Sequence, residues 1–329
     1  MIRTLIVRWL VLIGLAGLSV PAGAGVTPFV HGGVRLVRLD ELAAFYNGVL
    51  EPLPGGAVRM KTPWAHLDFN PGGREVRIGG TLVWLHEPMQ SVRGFWTLHE
   101  RDALAVIDPV VRPAEALRLA GARVVVLDAG HGGQDTGAKG RNGVEEKRAA
   151  LDIARRVRTH LQAAGLTVYM TRENDRFIAL EERAERARRW NADLFVSIHL
   201  NSASSTLAEG AETYVLSAAG HASTAGGGRG AAAPGNRHDA ANAVLGFHLH
   251  RQLLAATGAI DRGVKRARFI VLRQAPCPAV LVECGFLSHA AEEARVMDPA
   301  YREQVARGIA KGVVAYVGLS RKAKGTVQP

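Results

Sequence analysis

The sequence predicts an α/β protein, an open and mostly parallel sheet with helices on both faces, preceded by a small β-rich module. Three observations lead there. From about Gly121 onward, apolar runs of strand length alternate with amphipathic runs of helical length, the pattern of a sheet covered on both sides. Between about Val26 and Arg118 the runs are shorter and separated by turn signals such as PLPGG and NPGG. At 329 residues with 47% hydrophobic content, the chain has room for both units and material for a real core.

The first residues, MIRTLIVRWLVLIGLAGLSVPAGAG, place Arg3 and Arg8 ahead of an apolar run from Trp9 to about Val20, followed by Ala22, Gly23 and Ala24. That is the layout of a signal peptide over 1–24, cleaved after Ala24. The run falls short of the roughly 20 residues a spanning helix needs, which disfavours a membrane anchor. The expectation is an exported chain, periplasmic or associated with the cell envelope, with no stable membrane span after signal removal. Its net charge of +11, from 41 Lys and Arg against 30 Asp and Glu, favours an anionic partner. Export argues against nucleic acid and for an envelope polymer.

In the module over 25–118, VRLVRL, GAVRMKT, AHLDFN, REVRIGG and TLVWLHEP read as strands and LDELAAFYN as one helix. His31, His66, His86 and His99 are scattered there without ligand spacing, so no chemistry is predicted in it. The larger unit spans 119–320. ARVVVLDAG is a strand, and EEKRAALDIARRVRTHLQAAG is a helix with Ala150, Ile153, Ala154, Val157 and Leu161 on one face and Gly165 as its stop. LTVYMTR, ALEERAERARRWNA and DLFVSIHLN continue as strand, helix and strand. AETYVLS, a helix within Asp239 to Ala256, the strands RFIVLR and PAVLVECGFLS, and a final helix in Ala300 to Val317 complete it, with a basic tail over 321–329.

Residues 217–237, dominated by Gly and Ala, predict a mobile surface loop. The runs RRVRTH, RAERARR and DRGVKRARF read as mostly solvated helix faces, and His221, His238, His248 and His250 as surface histidines. Cys277 and Cys284 bracket a strand-like run that sets them roughly 20 Å apart, too far for a disulfide, so both are expected as buried free thiols.

In an open α/β sheet, ligands collect beyond the carboxyl ends of the strands. His131 follows VVVLD at such an end, and His199 stands near the end of LFVSIHLN at another. The glycines around His131 match no dinucleotide fingerprint, because Asp135 stands where the third small residue belongs, and no phosphate loop, because Gly-Lys-Ser and Gly-Lys-Thr are missing. Glu145 and Glu146 open the next helix, where a carboxylate suits the helix dipole, and Glu283 closes the apolar run AVLVE. Two imidazoles and one carboxylate with an open fourth position make a catalytic zinc site, and a further carboxylate that does not bind metal handles protons.

The blocks VVLDAGHGGQDTGAKGRNGVEEK, TRENDRFIALEERAERAR, ADLFVSIHLNS and PAVLVECGFLSH, in this order over about Val124 to Val317, resemble the zinc-dependent N-acetylmuramoyl-L-alanine amidases of the family-3 type. The resemblance implies His131, Glu146 and His199 as ligands of one zinc ion per chain, and Glu283 as the catalytic acid and base. It implies hydrolysis of peptidoglycan at the amide joining the lactyl group of N-acetylmuramic acid to the L-alanine of the stem peptide. Asp128 and Asn201, close in sequence to the two histidines, are candidates for fixing imidazole tautomers or meeting substrate.

Some members of that family cover the zinc with an inserted helix until an activator protein removes it. Here DAANAVLGFHLHRQLLAATG is the stretch available for that role, and its packing on the sheet is the favoured expectation. The segment IGGTLVWLHEPMQSVRGFWTLHERDAL resembles copper-amine-oxidase N-terminal-like modules, which implies a wall-binding or spacer role. Two other readings stay open: another zinc peptidase or deacetylase of the envelope, or a noncatalytic wall-binding protein.

Overall fold

The computed structural model describes residues 25–117 and 121–325; the predicted signal peptide over 1–24 and residues 326–329 of the basic tail lie outside them. The module begins with β1 (Phe29–His31), β2 (Val34–Arg38), α1 (Leu39–Phe45) and β3 (Val49–Pro52). Then come β4 (Val58–Lys61), β5 (His66–Phe69), β6 (Glu75–Ile78), β7 (Thr81–Trp84), β8 (Gln90–Val92) and β9 (Phe95–His99), and the short helices α2 (Glu100–Asp102), α3 (Asp108–Val111) and α4 (Pro113–Ala116). The larger unit opens with β10 (Val124–Ala129), α5 (Glu146–Ala163), β11 (Thr167–Met170), α6 (Leu180–Arg189), β12 (Leu194–Asn201) and β13 (Ala211–Leu216). It ends with α7 (Asp239–Thr257), β14 (Asp261–Ala267), α8 (Ile270–Arg273), β15 (Ala279–Phe286), α9 (Ala290–Met297) and α10 (Pro299–Gly325).

Strands β10, β11, β12 and β15 run parallel. β13 reverses direction against β15, and β14 and β7 follow it in parallel. From β7 to β3 the sheet continues as an antiparallel meander. One mixed 11-stranded sheet, ordered β11-β10-β12-β15-β13-β14-β7-β6-β5-β4-β3, therefore runs through both units, and a four-stranded sheet, β1-β2-β9-β8, completes the module.

Alternation along the central strands sorts their side chains between two faces. Leu194, Val196, Ile198 and Leu200 of β12 join a core shared with α5, α7 and α10, whereas Phe195 joins a second core shared with α6 and α8. Helices thus cover both faces, and Ser197 and His199 share the second face with Phe195. Each buried Val or Leu contributes roughly 1.5–3 kcal/mol, which steadies the strands whose ends carry polar groups.

The structure departs from expectation in several places. RFIVLR is not a strand: the strand is β14, just before it, and Ile270–Arg273 is helical. The charges of DRGVKRA disguised β14, because Arg262 and Lys265 do not lie on a solvated helix face but each reach Glu212 of β13 at 2.6 Å. Arg183, within RAERARR, is only 2% exposed. Residues 217–237 are fastened through their backbone rather than free. Ala218 N–H donates to His86 Nε2 (3.2 Å) and Thr224 N–H to Arg266 O (2.8 Å). Nor are the later histidines on the surface. His221 and His250 are buried, His238 is half-buried, and burial lowers the His248 pKa to about 4.

Two other expectations hold, the packing of α7 and the free thiols. Helix α7 packs into the first core, on the face opposite His199, so it does not cover that residue. Cys277 and Cys284 are buried free thiols. α10 reaches Gly325, which makes the first part of the predicted tail helical. Among the described residues no helix is long and apolar enough to cross a membrane.

Candidate metal centre and active site

His131 leaves the end of β10 with a φ of 59°, the left-handed region where a non-glycine residue is strained. Buried arginines hold this turn by its carbonyls. Arg172 donates to Ala129 O (2.9 Å) and Gly130 O (2.6 Å), and Arg183 to Ala129 O (2.9 Å) and His131 O (3.0 Å). The surrounding glycines make room for imidazoles. A Cβ on Gly130 would lie 2.4 Å from His199 Cε1; one on Gly137 would lie 2.6 Å from His131 Cδ2 and 2.5 Å from Glu146 Oε2.

Glu146 opens α5 and is 4% exposed, whereas Glu145 turns towards Lys139 and Arg148. Glu146 Oε1 lies 3.1 Å from His131 Nε2 and 2.8 Å from His199 Nδ1. His131, Glu146 and His199 each offer one ligand atom, all within 4.8 Å of one another. Backbone groups fix the carboxylate as well: Leu200 N–H donates to Oε1 (3.1 Å) and Ala138 N–H to Oε2 (2.8 Å). Burial opposes ionisation of Glu146, yet its bonds to the two imidazoles hold its pKa well below the ordinary carboxylate range. For His131, burial disfavours the charged ring, and Glu146 and then Asp135 outweigh it, raising the pKa.

Glu283 stands directly across from His199 in the β12–β15 register, with Glu212 of β13 on its other side. Facing residues on paired strands point to the same face. Glu283 Oε2 is buried without a hydrogen-bond partner, and burial, then Glu146 and Glu212, push the pKa well above its ordinary value. A buried polar atom left unsatisfied is costly and calls for a reason. Two imidazole nitrogens and a carboxylate oxygen suit zinc, whose catalytic sites keep one position open for water, and an unspent carboxyl beside them suits proton transfer. His131, His199 and Glu283 line one cavity of about 590 Å³, in the size range of a small-ligand site, with Phe177, Leu180 and Phe269 among its apolar walls.

Neither Asp128 nor Asn201 is hydrogen-bonded to an imidazole. The hydrogen bonds of Asp128 go to Thr171 Oγ1 (2.7 Å), Ser197 Oγ (2.7 Å) and Arg183 Nη1 (2.8 Å), not to an imidazole. Burial opposes its charge, and the Arg183 guanidinium holds its pKa below the ordinary value. Asn201 donates to Glu212 Oε2 at 3.1 Å. The residue on the histidine is Asp135, whose Oδ2 lies 2.8 Å from His131 Nδ1 while its Oδ1 accepts from Gly137 N–H at 3.1 Å. The available signal was its place four residues after His131, where a Gly132–Asp135 bridge folds the turn back.

A family model described as N-acetylmuramoyl-L-alanine amidase matches residues 125–315. The amidase LytC of Bacillus subtilis is 37% identical over 193 residues, which cover 58% of this chain and 35% of LytC. The amidase AmiA of Escherichia coli is 35% identical over 232 residues, covering 61% of this chain and 78% of AmiA. Among solved structures, the catalytic domain of the amidase CwlV from Bacillus (Paenibacillus) polymyxa var. colistinus aligns with a TM-score of 0.51 at 37% identity, covering 60% of this chain and 99% of that one. The CwlD amidase from Clostridioides difficile, solved in complex with the GerS lipoprotein, aligns with a TM-score of 0.52 at 28% identity, covering 60% and 98%. The matched segment contains His131, Glu146, His199 and Glu283 and spans more than half of the sequence, so the chain belongs to the N-acetylmuramoyl-L-alanine amidase family.

Proposed function

We propose that the chain works in the cell envelope as a zinc-dependent peptidoglycan hydrolase, cleaving the amide between the lactyl group of N-acetylmuramic acid and the L-alanine of the stem peptide. The observation that carries this reading is the convergence of His131, Glu146 and His199 beside the partnerless Oε2 of Glu283. A bound zinc ion supplies a Lewis acid for the scissile carbonyl and brings water towards a pKa of about 7. The two imidazoles and Glu146 would hold it, and Asp135 orients His131 through Nδ1. Glu283 takes the proton that water loses on attacking the carbonyl carbon, and returns it to the departing L-alanine nitrogen as the C–N bond breaks. The strained turn at His131, braced by Arg172 and Arg183, keeps the ligands placed before substrate arrives.

Purified sacculi incubated with the protein, followed by mass spectrometry, test the bond cut. Release of intact stem peptides, with about one zinc per chain by elemental analysis, is the expected result. Shortened peptides or free acetate would point to a peptidase or a deacetylase instead, and an intact sacculus to a binding protein.

A further inference from the structure

Two arginines line the cavity that holds the metal-facing residues, and only one of them is spent. Arg183 is paired with Asp128 at 2.8 Å. Arg268 has no carboxylate partner among the described residues. It is held instead by two backbone carbonyls, Nη1 donating to Ser217 O (3.1 Å) and Nη2 to Ala231 O. A guanidinium has five N–H donors, so three remain, on Nε, Nη1 and Nη2. Its carrier is tightly set. A Cβ on Gly230 would lie 2.1 Å from Arg268 Nε, so a larger residue there would push the guanidinium aside. The same 217–231 segment is fastened to the N-terminal module by Ala218 N–H on His86 Nε2 (3.2 Å) and by His221 Nδ1 beside Glu87 Oε1 (3.1 Å).

The neighbouring walls, from Phe177, Leu180, Phe269 and Ile270, are apolar. They accept methyl groups and offer nothing to a charge. A carboxylate entering this cavity beside the metal-facing residues therefore finds a guanidinium with spare N–H donors and no carboxylate in hydrogen-bond contact, the setting for a charge-assisted bond. In a stem peptide, the residue after L-alanine is D-glutamate linked through its side chain, whose α-carboxyl group stands free or is capped as a carboxamide. Resting on the amidase reading above, we propose that Arg268 is a specificity-determining residue that reads this α-carboxylate, so that the enzyme prefers the free acid to the carboxamide.

The test uses the zinc-loaded full chain and two synthetic substrates, N-acetylmuramoyl-L-alanyl-D-glutamate and its D-isoglutamine counterpart. The wild type is expected to show a KM about tenfold lower for the acid, the scale of one charge-assisted hydrogen bond. Arg268→Gln is expected to remove that preference by raising the KM for the acid, while kcat, zinc content and the KM for the carboxamide stay put. Arg268→Lys is expected to keep part of it. Inhibition of the wild type by the product dipeptides L-Ala-D-Glu and L-Ala-D-isoGln repeats the comparison without any substitution. Equal KM values for the two substrates in the wild type, or an equal loss on both in Arg268→Gln, would overturn the proposal. Failure of the zinc-loaded wild type to cut either substrate would overturn the amidase reading, and this inference with it.

Discussion

Among the described residues, histidine rings meet one another beside carboxylates at two places, the ends of β10 and β12 and the seam between the N-terminal module and the larger unit. At the seam, the His221 ring lies 4.7 Å from that of His86 and 4.9 Å from that of His99, centroid to centroid, with Asp102 and Glu87 beside them. His131 and His199 are no closer, at 5.0 Å. The difference lies in which nitrogens are already used. His86 Nδ1 faces Asp102 Oδ1 at 2.7 Å and its Nε2 accepts from Ala218 N–H; His99 Nδ1 accepts from Arg101 N–H at 3.1 Å; His221 Nδ1 faces Glu87. At the strand ends, one nitrogen from each of two rings faces the same oxygen of Glu146, and Glu283 keeps an oxygen unspent. Ring proximity makes a structural clasp; donors that converge on one point suit a metal ion.

The strongest blow to that contrast falls on Glu283. Glu283→Gln keeps the shape of the side chain but cannot take the water proton, so turnover of sacculi is expected to fall by about 10²- to 10⁴-fold with zinc content unchanged. Retained turnover would remove Glu283 from the proton path. One histidine from each cluster sharpens the comparison further: His199→Ala is expected to lose zinc by elemental analysis, and His221→Ala to keep it. If both variants bind zinc alike, the distinction between the two clusters disappears.

Next in size is an effect on stability. Burial, then the charge of Arg266, lowers the His86 pKa to about 4, with Asp102 pulling the other way. An unfolded histidine titrates near 6.5. Between those values the unfolded chain binds a proton that folded His86 does not. Stability present above pH 6.5 is therefore lost as pH falls towards 4, by on the order of 3 kcal/mol from this group. Urea midpoints measured at pH 7 and pH 4 should converge less in the wild type than in His86→Gln, where this part of the slope is gone. Identical slopes in the two proteins would show that the acid sensitivity arises elsewhere.

Legibility in the sequence followed side-chain character. The parallel strands β10, β12 and β15 are buried on both faces, so they stand out as unbroken apolar runs, and a polar residue at their ends, such as His131, His199 or Glu283, is conspicuous. β14 hid because Arg262 and Lys265 mask a strand whose charges are answered by Glu212 on the neighbouring strand, a pairing no local pattern contains. The 217–237 segment hid for the opposite reason. It has few side chains to read, and it is held through its backbone by groups such as His86 and Arg268 that lie far away in sequence. The seam cluster required His86 and His221 to meet across more than a hundred residues, and the sequence spacing of the module's histidines is silent about that.

The smallest effect separates two aspartates that sequence position alone does not rank. Asp135 lies 2.8 Å from His131 Nδ1, so its charge favours a proton on Nδ1 and leaves Nε2 free to face the metal position. Asp135→Asn keeps an oxygen for Gly137 N–H but loses that charge, and groups in this relation to a ligand are worth about 10- to 100-fold in metal affinity. The upper end is expected, because with its oxygen kept on Gly137 N–H the amide turns an N–H donor towards Nδ1 and favours the ring proton on Nε2 instead; a zinc-competition titration against a chelator reads it. Asp128→Asn is the matched control. It leaves both imidazoles without a changed partner and instead deprives buried Arg183 of its counter-charge, so it should lower the urea midpoint more than it weakens zinc binding. Should Asp128→Asn weaken zinc binding more than Asp135→Asn, then the arginine brace under the His131 turn, rather than the bond to the ring, is what sets the geometry of the ligands.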